Sequence, residues 1–107
     1  MPTGRLGAIN VANPAEQSQL YVCPPNYFTV ATVSICNRSN SAITVRLAMS
    51  ATTSPQPSEY IEYDTEILPK GVLERTGLVL NAGLYLMVYS STANVSAVAY
   101  GIETSTT

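Results

Sequence analysis

The sequence contains no histidine and no tryptophan, only two cysteines and one phenylalanine, and charged residues make up just 11% of it. Without an imidazole there is no Ser-His-Asp or Cys-His catalytic apparatus, no histidine metal site and no side chain that titrates near neutral pH from its ordinary value. Soluble domains are roughly a quarter charged. This chain therefore has little means of covering its surface with ionised groups, and it is expected to bury part of that surface against a partner. Five Lys and Arg against seven Asp and Glu supply no basic field for phosphates, which argues against nucleic-acid binding. The longest apolar run, Leu84 to Tyr89, is far short of the ~20 residues that cross a bilayer as a helix. The amino terminus, Met1 to Gly7, has no apolar core behind its one charge, so neither export nor membrane insertion is expected. Cys23 and Cys36 can be joined only if their strands lie side by side. One pair is weak evidence of an oxidising compartment, and free thiols are the expectation.

What is present reads as one all-β domain. The 107 residues are 46% hydrophobic, too apolar for disorder, and their pattern has a period of two with almost no period of 3.6. Phe28 to Asn37 is apolar on both sides, as a strand buried on both faces or facing a subunit partner would be. Asn37 to Ser41 is a cluster of turn formers, after which Ile43, Val45, Leu47 and Met49 alternate with Thr44, Arg46 and Ala48. Ser50 to Ser58, with two prolines, reads as an exposed loop. Ile61 to Ile67 alternates again, and Leu68-Pro69-Lys70-Gly71 supplies a turn. Val72 to Leu80 is interrupted by Gly77, the mark of a bulge or bend. Leu84 to Tyr89 and Val95 to Ile102 complete the pattern. With Gln19 to Cys23 this makes seven strands, and Arg5 to Val11 offers an eighth. Short turns and no helical interlude predict an antiparallel β-sandwich or small jelly roll over residues 19–103. Residues 1–18 differ, being rich in Gly, Ala, Asn and Pro; an extended arm reaching a neighbouring subunit and a frayed terminus both have this composition. Residues 104–107 read as a polar tail.

Few residues carry chemistry. Glu62, Asp64 and Glu66 fall on one strand face with side chains about 6.5–7 Å apart, a spacing open to a glycosidase pair or a Ca²⁺ site. Asp64 is the chain's only Asp and no Asp-x-Asp-Gly loop accompanies it. The favoured reading is a solvated row paired with Lys70 or Arg75. No catalytic residue, metal or cofactor is expected. Asn37-Arg38-Ser39 and Asn94-Val95-Ser96 match the glycosylation sequon but are read as turns. Gly4-Arg5-Leu6-Gly7 is too poor in glycine for a phosphate loop, and its glycines fit close packing on backbone. Seven tyrosines offer apolar bodies with polar tips for a sugar or a protein surface. For most of them sheet core and edge packing is the favoured reading, and Tyr60, Tyr63, Tyr85 and Tyr89 are the candidate interface.

Gly4-Arg5-Leu6-Gly7, Glu59-Tyr60-Ile61-Glu62-Tyr63-Asp64, Gly71-Val72-Leu73-Glu74-Arg75-Thr76-Gly77 and Tyr100-Gly101-Ile102-Glu103 together resemble small virion structural proteins of tailed bacteriophages, especially those of cyanobacteria. The resemblance spans nearly the whole chain. It implies a non-enzymatic virion component, assembled in the host cytoplasm and carried in many copies. The first expectation is a capsid decoration or cement protein, a homo-oligomer with trimer favoured. Its arm residues Gly4, Arg5, Leu6, Gly7, Ile9 and Val11 would clamp major capsid subunits. The alternative is a tail, baseplate or fibre adaptor, with weak host-glycan binding as a further option. Such a binder would carry exposed tyrosines beside the Ser50 to Ser58 loop, whereas an enzyme would need the Glu62, Asp64 and Glu66 row to face a cleft.

Overall fold

The computed structural model describes residues 3–11 and 17–106, Thr3 by its backbone alone. Eight strands form where apolar and polar residues alternate: β1 (Thr3–Val11), β2 (Ser18–Val22), β3 (Tyr27–Asn37), β4 (Ile43–Ser50), β5 (Tyr60–Ile67), β6 (Val72–Leu80), β7 (Tyr85–Ser90) and β8 (Val95–Ser105). One 3₁₀ turn, Pro57–Glu59, precedes β5. The strands pair antiparallel as two sheets, β1-β8-β3-β6 (sheet A) and β2-β7-β4-β5 (sheet B).

The order follows from one long hairpin wrapped on itself. Strand β1 pairs with β8, β2 with β7, β3 with β6 and β4 with β5, as in a hairpin whose tip is the 51–59 loop. Wrapping then adds the β3–β8 and β4–β7 ladders. This is a jelly roll. Every link except β4 to β5 crosses between the sheets, and the inward residues of both sheets meet in one core. Val33, Ile35, Val45, Leu47, Leu80, Leu86, Val88, Val95, Ala97 and Ala99 are all fully buried there.

The two open sides of the sandwich close differently. On one side β1 lies over β2, and a Cβ at Gly7 would stand 2.3 Å from the Leu20 carbonyl oxygen, so only glycine permits the approach. On the other side Arg75 of β6 reaches across to Glu62 of β5 at 2.9 Å. Gly101 plays a matching part within sheet A, where a Cβ would lie 2.0 Å from the Val30 carbonyl oxygen.

The eighth strand offered by Arg5 to Val11 is present, beginning at Thr3, and it is an edge strand of sheet A, so residues 3–11 belong to the sandwich and not to an arm extending from it. An extra residue in β1 between Arg5 and Gly7 shifts the register against β8. The shift lets Leu6, Ile9 and Val11 all pack on the core, which a strict alternation would forbid. The remainder of the expected arm, residues 1–2 and 12–16, lies outside the described residues. Pairing also runs past Ile102, with Thr104 and Ser105 opposite Phe28 and Tyr27, so the polar tail begins later than expected. The bulge expected at Gly77 is present: Ala31 and Val33 face Leu78 and Arg75, and Gly77 has φ of 70°.

Asn37 is buried and fully engaged. Its Nδ2 donates to the carbonyls of Ser41, Ile67 and Leu68, and its Oδ1 accepts from Ser39 N and Oγ. The first sequon is thus a turn that ties β3 to the end of β5. Cys23 and Cys36 are free.

At the opposite end of the core lies a buried polar chain. The Tyr21 hydroxyl donates to Glu103 and accepts from Thr29 Oγ1, which also lies 3.3 Å from Cys23 Sγ. Tyr21, Thr29 and Glu103 are all buried. Burial first, and then the bond to the Glu103 carboxylate, push the Tyr21 phenol well above the ordinary tyrosine value of 10.0. Below pH ~10 both folded and unfolded chains keep the proton and this contribution to stability is complete; above it the unfolded chain deprotonates first, so stability falls as pH rises. Denaturant titrations of the wild type between neutral pH and the alkaline range should show that fall, with a shallower slope in Tyr21→Phe. At neutral pH the same substitution leaves Glu103 without its hydroxyl donor and should cost about 1–3 kcal/mol.

Candidate functional site

Strand β5 lacks the regular alternation read from its sequence. Against β4 it runs Thr65 opposite Val45, Glu62 opposite Leu47 and Tyr60 opposite Ala48, so it carries two irregularities within a few residues. Asp64 takes φ of 53° at the first of them, a left-handed conformation that Asp tolerates better than most side chains. The expected single row of carboxylates is therefore broken. Glu62 is half-buried, accepts from Thr65 Oγ1 at 2.7 Å and pairs with Arg75. Asp64 is turned to Arg46, whose Nε and Nη2 meet its two carboxylate oxygens at 2.6 and 3.3 Å. Glu66 is exposed. Arg75 is the partner anticipated for this row, whereas Lys70 instead donates to the Arg38 carbonyl.

The same bulges gather aromatic side chains on the outer face of sheet B. Arg46 lies between two rings, with Cζ 4.2 Å from the Tyr63 centroid and 4.5 Å from that of Tyr89, a cation–π arrangement on both sides. Hydrogen bonding to Asp64 raises the guanidinium's already high pKa. Tyr63 meets Tyr60 edge to face, at 5.0 Å and 81°, and the Tyr60 hydroxyl accepts from Gln17 Nε2 at 2.9 Å. Alternation with the buried Leu86 places Tyr85 on this outer face as well. The four tyrosines singled out from the sequence thus share one face. Tyr63 is 59% exposed, and the other three are half-buried.

A pocket of about 470 Å³ opens beside them, lined by Pro55, Pro57, Tyr60 and Tyr63. Its proline wall belongs to the loop at the hairpin tip, which is ordered around one carboxylate. Glu59 accepts from Gln56 N at 2.8 Å, Ala51 N at 3.0 Å and Ser50 Oγ at 2.9 Å, the reach back to Gln56 being a helix-start device. Nothing in the composition of Ser50 to Ser58 announces this; the organising residue follows the low-complexity stretch.

A second surface lies on the outer face of sheet A. Val30 of β3 stands opposite both Ile102 of β8 and Val79 of β6, and the three are 44%, 55% and 58% exposed. Phe28 and Tyr100 extend the row, and the Tyr100 hydroxyl donates to Glu74 at 2.8 Å. Of the residues expected to form a clamping arm, Gly4 and Arg5 are exposed at the edge beside this face, Leu6, Gly7 and Ile9 are half-buried and Val11 is buried. Sequence reading missed the row because its residues come from three strands, each of which alternates unremarkably.

Among the described residues no group of three or more His, Cys, Asp or Glu side chains is placed to hold a metal ion, and no helix is long and apolar enough to cross a membrane. Comparison with protein-family models, with curated proteins and with solved structures finds no match to this chain.

The loop order should titrate with Glu59. Its three donors, the Gln56 amide foremost, hold its carboxyl below the ordinary value of 4.5. The bonds are therefore complete above that value and are lost as pH falls through the lowered one. The Gln56 and Ala51 amide resonances should shift together on acidification, and at neutral pH Glu59→Gln should move the same two amides while leaving those of β3 and β8 in place.

Proposed function

We propose that this chain is a non-enzymatic structural subunit of a phage particle, a capsid decoration protein in the first instance, working by burying the outer face of sheet A against neighbouring subunits. The observation that carries the reading is the exposed row Ile102–Val30–Val79, flanked by Phe28 and Tyr100. Contiguous apolar side chains on a sheet face are the mark of an interaction surface. Full burial of an exposed Val or Ile is worth about 1.5–3 kcal/mol, so closing over these half-exposed side chains yields roughly half of that for each, before ordering losses.

Three further features support it. The charge content is too low to solvate a whole domain surface. Among the described residues no strand pairs with the outer edge of β1, where another chain can add hydrogen bonds. The resemblance of the Gly4 to Gly7, Glu59 to Asp64, Gly71 to Gly77 and Tyr100 to Glu103 segments to small virion proteins points to the same class, and jelly rolls are at home in capsids as well as in lectins and cupins. Fold alone does not assign function, so the surface carries the argument.

The reading predicts a homo-oligomer, held in the virion with other particle proteins. Sedimentation of the purified chain over a range of concentrations should show association, and Val30→Lys and Ile102→Lys should each shift it to monomer without changing the β-sheet circular dichroism. Quantitative mass spectrometry of purified virions should count hundreds of copies against the major capsid protein. A count of several dozen or fewer would move the chain to the tail. A wild-type monomer at every concentration, together with absence from particles, would overturn the proposal.

A further inference from the structure

We infer that the pocket between the 51–59 loop and β5 is a binding site for a neutral saccharide, seated in the corner made by Tyr60 and Tyr63. The site is independent of the assembly surface, because it lies on the opposite sheet.

Four observations lead there. The pocket, about 470 Å³, falls within the range of roughly 300–1,000 Å³ that small-ligand sites occupy. Its walls are two tyrosines and two prolines, rigid apolar surfaces suited to the C–H face of a pyranose, and Tyr63 keeps 59% of its surface open. The rings meet at 81°, so a sugar packed on one presents its rim to the other, whose hydroxyl is a polar tip for the ligand's own hydroxyls. The polar groups next to this corner are fixed before any ligand arrives. Arg46 is clamped between Tyr63 and Tyr89 and held by both Asp64 oxygens, and its Nη1 group makes no hydrogen bond among the described residues.

Charge selects the ligand class. The guanidinium beside Tyr63 is neutralised in place by Asp64, and the Glu59 carboxylate is spent on Gln56, Ala51 and Ser50. No net cationic field remains to recruit a phosphate, sulfate or uronate, whereas planar, paired donors and acceptors suit hydroxyls. A proline-rich peptide fits less well. Such ligands lie along successive aromatic ridges, and here the second wall is already filled by the chain's own Pro55 and Pro57.

Saturation-transfer NMR on the full chain tests this, with methyl glycosides of glucose, galactose, mannose and N-acetylglucosamine at tens of millimolar as probes. Glucuronic acid and a decaproline peptide serve as the competing classes. At least one neutral glycoside should receive saturation from the aromatic protons and shift the amides of residues 60–64. Tyr63→Ala, at an exposed position, should weaken that binding at least tenfold with the remaining amide spectrum intact. Arg46→Met should weaken it less, by severalfold. The proposal is overturned if no neutral glycoside binds to the folded wild type, if binding survives Tyr63→Ala, or if glucuronic acid or decaproline is the ligand that occupies the corner.

Discussion

The ladder between β3 and β8 is the constraint on which the rest of the molecule depends. It runs without a register shift from Tyr27 opposite Ser105 to Asn37 opposite Val95. Every other long pairing in sheet A is interrupted by a bulge. By placing the carboxy-terminal strand between β1 and β3 it turns an extended hairpin into a closed sandwich, and it does so at contact distance. Gly101 lies against the Val30 carbonyl, and the small inward residues Ala31, Ala97 and Ala99 let the sheets approach. The same ladder fixes what faces outward. Once Val30 is opposite Ile102, two apolar side chains must share the outer face, because the alternation that buries Ala31, Ala99 and Glu103 leaves them no other side.

Much of this was legible in the chain, and the parts that were not have a common cause. Strands β3, β4, β6, β7 and β8 declared themselves by alternation, and Gly77 declared its bulge because glycine is the residue that takes positive φ without penalty. Asp64 adopts the same half of φ space with nothing in its neighbours to mark it, and so the carboxylate row on β5 was an alternation that the backbone does not keep. Strand β1 was legible only as an optional eighth strand, because its composition fits an arm as well. Its stability comes from the Gly7 approach to Leu20 and from the pairing with β8, which are contacts across the fold. Glu103 was invisible for the same reason, since its partner Tyr21 lies at the other end of the sequence. Of the candidate site, the Tyr60 and Tyr63 rings beside a proline-bearing loop could be read directly. The Arg46 clamp could not, because it needs β4, β5 and β7 in register.

The two outer faces differ in kind. On sheet B, polar and aromatic groups are locked to one another: Arg46 by Asp64, Tyr63 and Tyr89, Tyr60 by Gln17, and the covering loop by Glu59. Such a face presents a fixed shape and leaves little apolar area unsatisfied. On the outer face of sheet A, Tyr100 is joined to Glu74, and Phe28, Val30, Val79 and Ile102 are exposed aliphatic or aromatic side chains. One face is polar, aromatic and fixed by its own contacts, and the other is largely aliphatic and exposed.

The disposition of the charges explains why the sheet A face is left bare. Three of the five cations are committed to closing the fold: Arg75 joins the sheets through Glu62, Arg46 pins the β5 bulge through Asp64, and Lys70 caps the Arg38 carbonyl at the turn end. Arg38 itself reaches Asn10 on β1, which leaves Arg5, exposed at the edge of sheet A and without a side-chain bond among the described residues. Among the acids, Glu59 orders the loop, Glu103 is buried on Tyr21 and Glu74 meets Tyr100. A domain that uses its few ionised groups as internal ties has almost none left to interrupt an outer apolar row. Exposed pairs of this kind contribute little individually, so their structural effect is positional: they hold bulges, loops and edges in register. Solubility of the remaining surface then rests on hydroxyls, which are abundant in the turns, while Val30, Val79 and Ile102 form an aliphatic strip across the middle of the sheet A face.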